Sequence, residues 1–320
     1  HLPCERIENH TAFNYDQLEA VFAAKEDSFD PPLLAARYRE MVASESLIEV
    51  RLSTRVEAVK RFGPHRSNSK ERSNDQKSSE VKANLNKQGS AQKVIDGLSK
   101  SKARAEGIAP AKDLCYFEVS LETSIPGNSH KLEVPLVINA TYASINTINR
   151  QFGITEIPLM HEIAEMAFVR PPTTFKDAAL TIMDGPFCSL MPYGKTGLHS
   201  LSSVAYTHQR VSYENEPNFN CQQLRADCSP HATADCSTCS QQPKSNYPKM
   251  LAQLRLYLNP DIELSYVQSR FTIKAKLQAN HIDDGRPTAV RLLSEDPAFF
   301  CVFAGKVNSV YAMETALDQF

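Results

Sequence analysis

Four cysteines carry the most conspicuous chemistry in this chain. Cys221, Cys228, Cys236 and Cys239 fall within nineteen residues, include one C-x-x-C, and have His231 between them in sequence. Tetrahedral zinc needs four soft ligands converging on one point, and a C-x-x-C supplies two from a single turn. The stretch around them (NEPNFNCQQLRADCSPHATADCSTCSQQPKSNYP) is too polar to build its own core and would profit from a metal staple. The x6 and x7 spacings of the other two thiols are irregular, so reduced free thiols and disulfides stand beside zinc as readings. Disulfides are the least favoured of the three, because nothing marks the chain for an oxidising compartment. Thiol catalysis has no footing, since nothing points to a nucleophile–base pair.

Three further residues could act on a substrate. Arg286, in Asp284-Gly-Arg-Pro287, carries a guanidinium suited to gripping a carboxylate in bidentate fashion. Its competing role is a surface ion pair with Asp283 or Asp284. Tyr193 and His199 flank a turn in Met191-Pro-Tyr-Gly-Lys-Thr-Gly-Leu-His199. Either could position a substrate, and the histidine could take a proton near neutral pH. A hydrogen-bonded structural histidine is the plainer expectation. His161-Glu162-x-x-Glu165 resembles a zinc-protease helix motif, but the second histidine is missing and the flanks read as strand, so that chemistry is rejected.

The elements that must hold these residues alternate in kind. Thr11–Tyr15 and Leu18–Lys25 read as short paired strands. Asp30-Pro31-Pro32 opens a helix, with Asp as N-cap and Pro in the first turn, and Leu33, Leu34, Tyr38, Met41 and Val42 follow at helical spacing. Leu47–Leu52 alternates as a strand and Thr54–Val59 continues extended. Tyr116–Leu121 alternates again, while the nearly continuous apolar Leu132–Ile138 suits a strand covered on both faces. Ala143–Phe152 reads as a helix. Ile157–Val169, Ala179–Met183, Phe187–Met191, Leu201–Tyr206, Ile262–Val267 and Phe271–Ala275 follow as strands of an antiparallel sheet. Phe299–Ala304 is a further buried strand, Gly305 a turn, and Val307–Leu317 a closing helix.

Composition narrows the classes. The 320 residues are 42% apolar and 22% charged with a formal charge of −2, enough for one large core or two ordinary ones. Residues 60–112 hold 13 Lys and Arg against 5 Asp and Glu, eight serines and a single aromatic, Phe62. Such a segment cannot offset its ordering entropy, so 64–112 is expected to be a disordered basic insertion. No aromatics interleave with its charges, which disfavours a nucleic-acid partner. No apolar run reaches the ~18 residues of a membrane span, and no secretion signal opens the chain, so neither a membrane partner nor export is expected and the cytoplasm is. The first residue is His1, not Met, which fits a processed chain or a fragment.

The order of these segments resembles the FAD-dependent oxidoreductases of the D-amino-acid oxidase type. Lys25–Pro31 with its helix and Ile48–Val56 look like the family's Asp-Pro, helix and strand unit. Val137-Ile-Asn-Ala-Thr141 is similar to its Val-Asn-Ala-x-Gly strand end, Asp284–Pro287 to its Gly-x-Arg-Pro turn, and Phe300–Asn308 to its last strand and glycine turn. Met183–Gly194 and Gly197–Leu201 look like an uncharacterised bacterial branch. The resemblance implies α/β plus antiparallel β: a partial Rossmann-like FAD-binding domain (30–63, 113–153, 282–320) interrupted by an antiparallel substrate domain (1–29, 154–281), which carries the cysteine-rich loop 221–239.

It further implies an FAD cofactor and hydride transfer from a small amine or alcohol, with or without a carboxylate. Val56 would contact the adenine side, Ala140 and Thr141 the pyrophosphate side, and Gly305, Lys306 and Val307 the pyrimidine end, where a helix N-terminus favours an anionic reduced flavin. Arg286 would anchor the substrate, with Tyr193 and His199 facing the flavin. Three positions depart from the pattern. The family's opening G-x-G-x-x-G, which places pyrophosphate at a helix start, has no counterpart among the eleven glycines, and an N-terminal ADP-binding segment is expected to be missing. Tyr142 stands at a family glycine, and Lys306 at a small residue. The competing function is a zinc-stapled, flavoprotein-like binding module for a sugar or peptide. Substrate identity and oligomeric state are left open.

Overall fold

The computed structural model describes residues 3–63, 115–123, 129–185, 187–278, 288–306 and 311–320. The basic insertion and Arg286 and Val307 lie outside them. The chain divides into two compact units, one formed by 1–54, 138–293 and 300–320, the other by 55–137 and 294–299. The larger mixes short helices with antiparallel strands, and the described residues of the smaller form strands.

The larger unit is built on one long strand. β7 (Leu159–Arg170) is paired along its whole length with β12 (Ser265–Leu277). Its other edge is shared by β11 (His208–Ser212) and β10 (His199–Ser203), and β9 (Cys188–Pro192) and β8 (Leu180–Ile182) continue the sheet, all antiparallel. Successive side chains of a strand point to opposite faces. One face of β7 therefore serves three clusters in turn. Leu159 packs with Ile145, Ile157, Cys301 and Phe303, Ile163 with Phe219 and Phe271, and Ala167 and Val169 with Leu190, Leu201, Met250 and Leu254. The last two come from a helix, Tyr247–Arg255, whose buried Met250, Gln253 and Leu254 fall at helical spacing.

Several boundaries differ from the sequence expectations. A single strand runs through Ile262–Ala275 from Ser265 onward, with an irregularity between Tyr266 and Gln268 that lets the pairing continue. The N-terminal hairpin pairs β1 (Cys4–Ile7) with β2 (Val21–Ala24), while Tyr15–Gln17 is a turn of 3-10 helix. Helix α1 (Pro31–Ser44) starts where expected, with the Asp30 carboxylate accepting from the Leu33 N–H. Leu33, Tyr38 and Met41 stay exposed, while Leu34 and Val42 are half-buried. Leu47–Leu52 is not a strand: alternation alone cannot make one without a partner, and Leu52 is 82% exposed.

The smaller unit holds β3 (Thr54–Phe62), β4 (Tyr116–Thr123) and β5 (Ser129–Val134), with β4 central. Alternate burial along β4 matches the expected pattern, and Phe117 meets Phe299 edge to face. The apolar run 132–138 is broken at Pro135, which cannot donate to a ladder, into β5 and β6 (Leu136–Asn139). Ile138 is exposed, so this run is not a strand buried on both faces. β6 and β13 (Ala289–Glu295) flank β14 (Ala298–Phe303) in a three-stranded sheet.

Candidate functional site

Within the larger unit, the ends of β6 and β14 meet at one corner. The Tyr142 ring stacks on Phe303, 5.7 Å between centroids and 18° between planes. Ala140, Thr141 and Gly305 lie within two residues of those rings in sequence. The Gly305 N–H donates to the Thr288 hydroxyl at 3.4 Å, tying this corner to the segment that follows Arg286. Ala140, Thr141 and Tyr142 are all exposed, so the corner presents backbone as well as side chains.

Asn139 braces this corner, a role its sequence context did not announce. Its buried amide donates to the Ile145 carbonyl and the Asn149 side chain, both at 2.8 Å. Its carbonyl oxygen accepts from the Thr141 hydroxyl at 2.7 Å and the Thr141 N–H at 3.3 Å. Each hydrogen-bonding group of that amide is thus used. Helix α2 (Ile145–Gln151) follows, preceded by the 3-10 turn Tyr142–Ser144. Tyr142 has φ +52°, the left-handed region where glycine is at ease. The resembling family has glycine here. Two hydrogen bonds between the Tyr142 hydroxyl and the Ala275 backbone, each 3.2 Å, and the Phe303 stack hold the tyrosine in place.

The Tyr193–His199 segment is a separate feature of the same unit. Tyr193 is half-buried, with its ring edge-on to Phe168 at 4.8 Å. Asp30 reaches this turn as well as capping α1, accepting from the Lys195 N–H at 2.8 Å. Gly194 must be glycine for two reasons: φ is +55°, and a Cβ would sit 2.5 Å from the Asp30 carboxyl. His199 is 1% exposed, and its Nε2 donates to the Ala178 carbonyl at 3.1 Å. Enclosed and bonded to a backbone carbonyl, this histidine packs as a structural side chain. Val56 lies in β3 of the smaller unit, and Lys306 follows Gly305 directly.

The four cysteines do come together. Cys221, Cys228, Cys236 and Cys239 line one cavity of about 20 Å³, with Ile163, Phe219 and Ile273 as its apolar wall. Burial, with the neighbouring thiols adding to it, pushes Cys236 up to about 11. Burial is the largest single influence on Cys239 and acts to raise it, but hydrogen bonds from Arg225 and the Gln241 N–H, with the Arg225 charge, together leave it below the ordinary thiol value. All eight cysteines are free thiols. Among the described residues no three His, Cys, Asp or Glu side chains are set to hold a metal ion, so the zinc expectation is unsupported by the side chains as they stand. His231 does not join the cysteines and pairs with Glu216 at 2.9 Å.

The rejected protease-like motif is a strand with structural polar groups. His161 is buried, its two ring nitrogens 3.2 Å from the Glu214 and Ala143 carbonyls, and burial lowers its pKa. Glu165, 2% exposed, accepts from Ser245 and Ser269 on one oxygen and from Gln209 and the Asn246 N–H on the other.

No family model matches the chain, and no curated protein matches it. Among solved structures it is similar to glycine oxidase from Geobacillus kaustophilus, with 15% identity and a TM-score of 0.39 over 63% of this chain. The match covers 44% of that chain, and a likeness this distant carries no argument about activity.

Proposed function

We propose that this chain belongs to an FAD-dependent oxidoreductase that takes a hydride from a small amine or alcohol, with or without a carboxylate. The reading rests on the ordered resemblances in the sequence, together with one observation. The Tyr142–Phe303 stack draws two strand ends, each resembling a flavin-contacting segment, to one exposed corner. The residues there fit the pyrophosphate side of such a cofactor, because Ala140 and Thr141 are small and exposed. They supply no phosphate loop, since no two glycines share the G-x-G spacing. When bound, FAD would accept the hydride. Ala140 and Thr141 would offer backbone groups, Asn139 would hold them in place, and Lys306 would add positive charge. Arg286 would anchor a carboxylate and Tyr193 would position the substrate. His199, bonded to the Ala178 carbonyl, would serve the site by packing. On the same reading, 30–63, 113–153 and 282–320 make the cofactor part and 1–29 and 154–281 the substrate part.

A visible spectrum of the protein expressed from its full reading frame tests this. Flavin absorption bands that persist through gel filtration are expected, and Ala140→Trp should reduce them while far-UV circular dichroism stays unchanged. A folded but colourless protein that takes up no added FAD would sink the reading. It would favour the binding module, for which the missing glycine spacing is the supporting observation.

A further inference from the structure

We propose that Cys221, Cys228, Cys236 and Cys239 form a structural site for one thiophilic divalent cation, of which zinc is the expected occupant. The cavity they line has room for about 20 Å³, the space of one water-sized guest. Four thiols around a void of that size form an unusual wall. The cavity is partly open, and Gln222, Arg225 and Asp235 share its wall, but the four sulfurs are the soft ligands that a thiophilic cation selects. A single ion satisfies such a wall.

The backbone is already arranged around the sulfurs. The Ala234 N–H donates to Cys228 Sγ at 3.4 Å and the Gln241 N–H to Cys239 Sγ at 3.3 Å. Hydrogen bonds of this kind stabilise the charge of a thiolate ligand and hold it in place. The Cys236 carbonyl accepts from the Cys239 N–H at 3.4 Å, closing the C-x-x-C turn, and both thiols line the cavity. Arg225 and Asp235 share the cavity wall, and Arg225 bonds Cys239 while pairing with Asp227.

The balance of the step is simple. Four thiols and one divalent cation give a tetrathiolate complex of charge −2 and release four protons, with no oxidation. Among the described residues no three such side chains stand close enough to hold an ion, so the thiols must shift to complete it. The gain belongs to residues 213–246. Their route from β11 to helix Tyr247–Arg255 contains only one short 3-10 turn, Asn220–Leu224, and few buried apolar groups. The ion would staple them to β7 and β12 through Ile163 and Ile273.

The test is metal binding by the full chain, reduced and stripped with chelator, using cobalt(II) as probe. Expected are thiolate-to-cobalt charge-transfer absorption and the intense visible bands of a tetrahedral site, saturating at one equivalent and bleached by one equivalent of zinc. Cys236→Ser and Cys239→Ser should each weaken cobalt binding at least tenfold, whereas Cys4→Ser, outside the cluster, leaves it intact. A folded protein with all four thiols reduced that shows no such spectrum would overturn the site. So would disulfide bonds among the four in protein purified under reducing conditions. Neither readout depends on flavin, so this proposal and the oxidoreductase reading stand or fall separately.

Discussion

Single side chains here do structural work that their identity disguises. Glu165 sits in a motif with a metalloprotease look, yet it ties Gln209, Ser245, Asn246 and Ser269 together inside the larger unit. Glu165→Leu should cost about 3 kcal/mol or more, because it strands buried donors. Glu165→Gln should cost about 1 kcal/mol, since the serine hydroxyls can rotate to accept from the new amide. Urea unfolding at constant slope separates the two, and equal losses for both would contradict the hydrogen-bond account. Asn139 is read in the same way. Its place in Val-Ile-Asn-Ala-Thr is visible in the sequence, but the partners of its amide, Ile145 and Asn149, are set only by how α2 folds back. Asn139→Ala should destabilise the corner and, on the proposed function, lower flavin occupancy at unchanged protein concentration.

At the scale of elements, local signals were legible where the chain supplies its own partner. Asp30-Pro-Pro announced α1 because an N-cap is satisfied within three residues, and the Asp30–Leu33 hydrogen bond is there. The same carboxylate also holds the Tyr193 turn across 165 residues, a contact no local pattern carries. Asp30→Ala should therefore cost more than the ~1 kcal/mol of an ordinary cap, and Asp30→Asn about half as much, because an amide accepts one of the two N–H groups but not both. If Asp30→Ala costs no more than an isolated cap, the Lys195 contact contributes nothing. Strands were legible where apolar residues alternate against a partner, as in β4. Leu47–Leu52 alternates equally well and forms no strand, since nothing pairs with it.

The whole molecule should respond to pH at both ends. Burial lowers the His161 pKa below its ordinary 6.5. Glu216 also falls below 4.5, with burial opposed and outweighed by hydrogen bonds from Arg150, Thr147 and His231, and Glu156 falls through its bond from Arg150. A depressed folded pKa contributes stability that is present above the unfolded value and lost as pH falls through the folded one. Stability should thus decline below about pH 6.5 for His161, and more steeply below about 4.5 as the carboxylates protonate. Burial raises the Cys188 thiol from 9.0 to about 11, and a raised pKa contributes stability that is lost as pH climbs across that interval. Thermal melts from pH 3 to 11 should show a plateau between these limbs. For His161→Gln the upper acid limb should vanish, and a profile identical to the parent would refute its assignment.

From the sequence alone came the helix start at Asp30, the antiparallel run after residue 157, the cysteine cluster, and the residues of the two strand ends that resemble flavin contacts. All of these depend on neighbours along the chain or on residue chemistry, which a linear reading contains. Only the tertiary structure decided that Tyr142 stacks on Phe303, that Asp30 reaches the Tyr193 turn, that His199 is enclosed, and that the four thiols wall one small cavity. Those facts depend on which distant segments come within a few ångströms, and packing settles that for the whole chain at once.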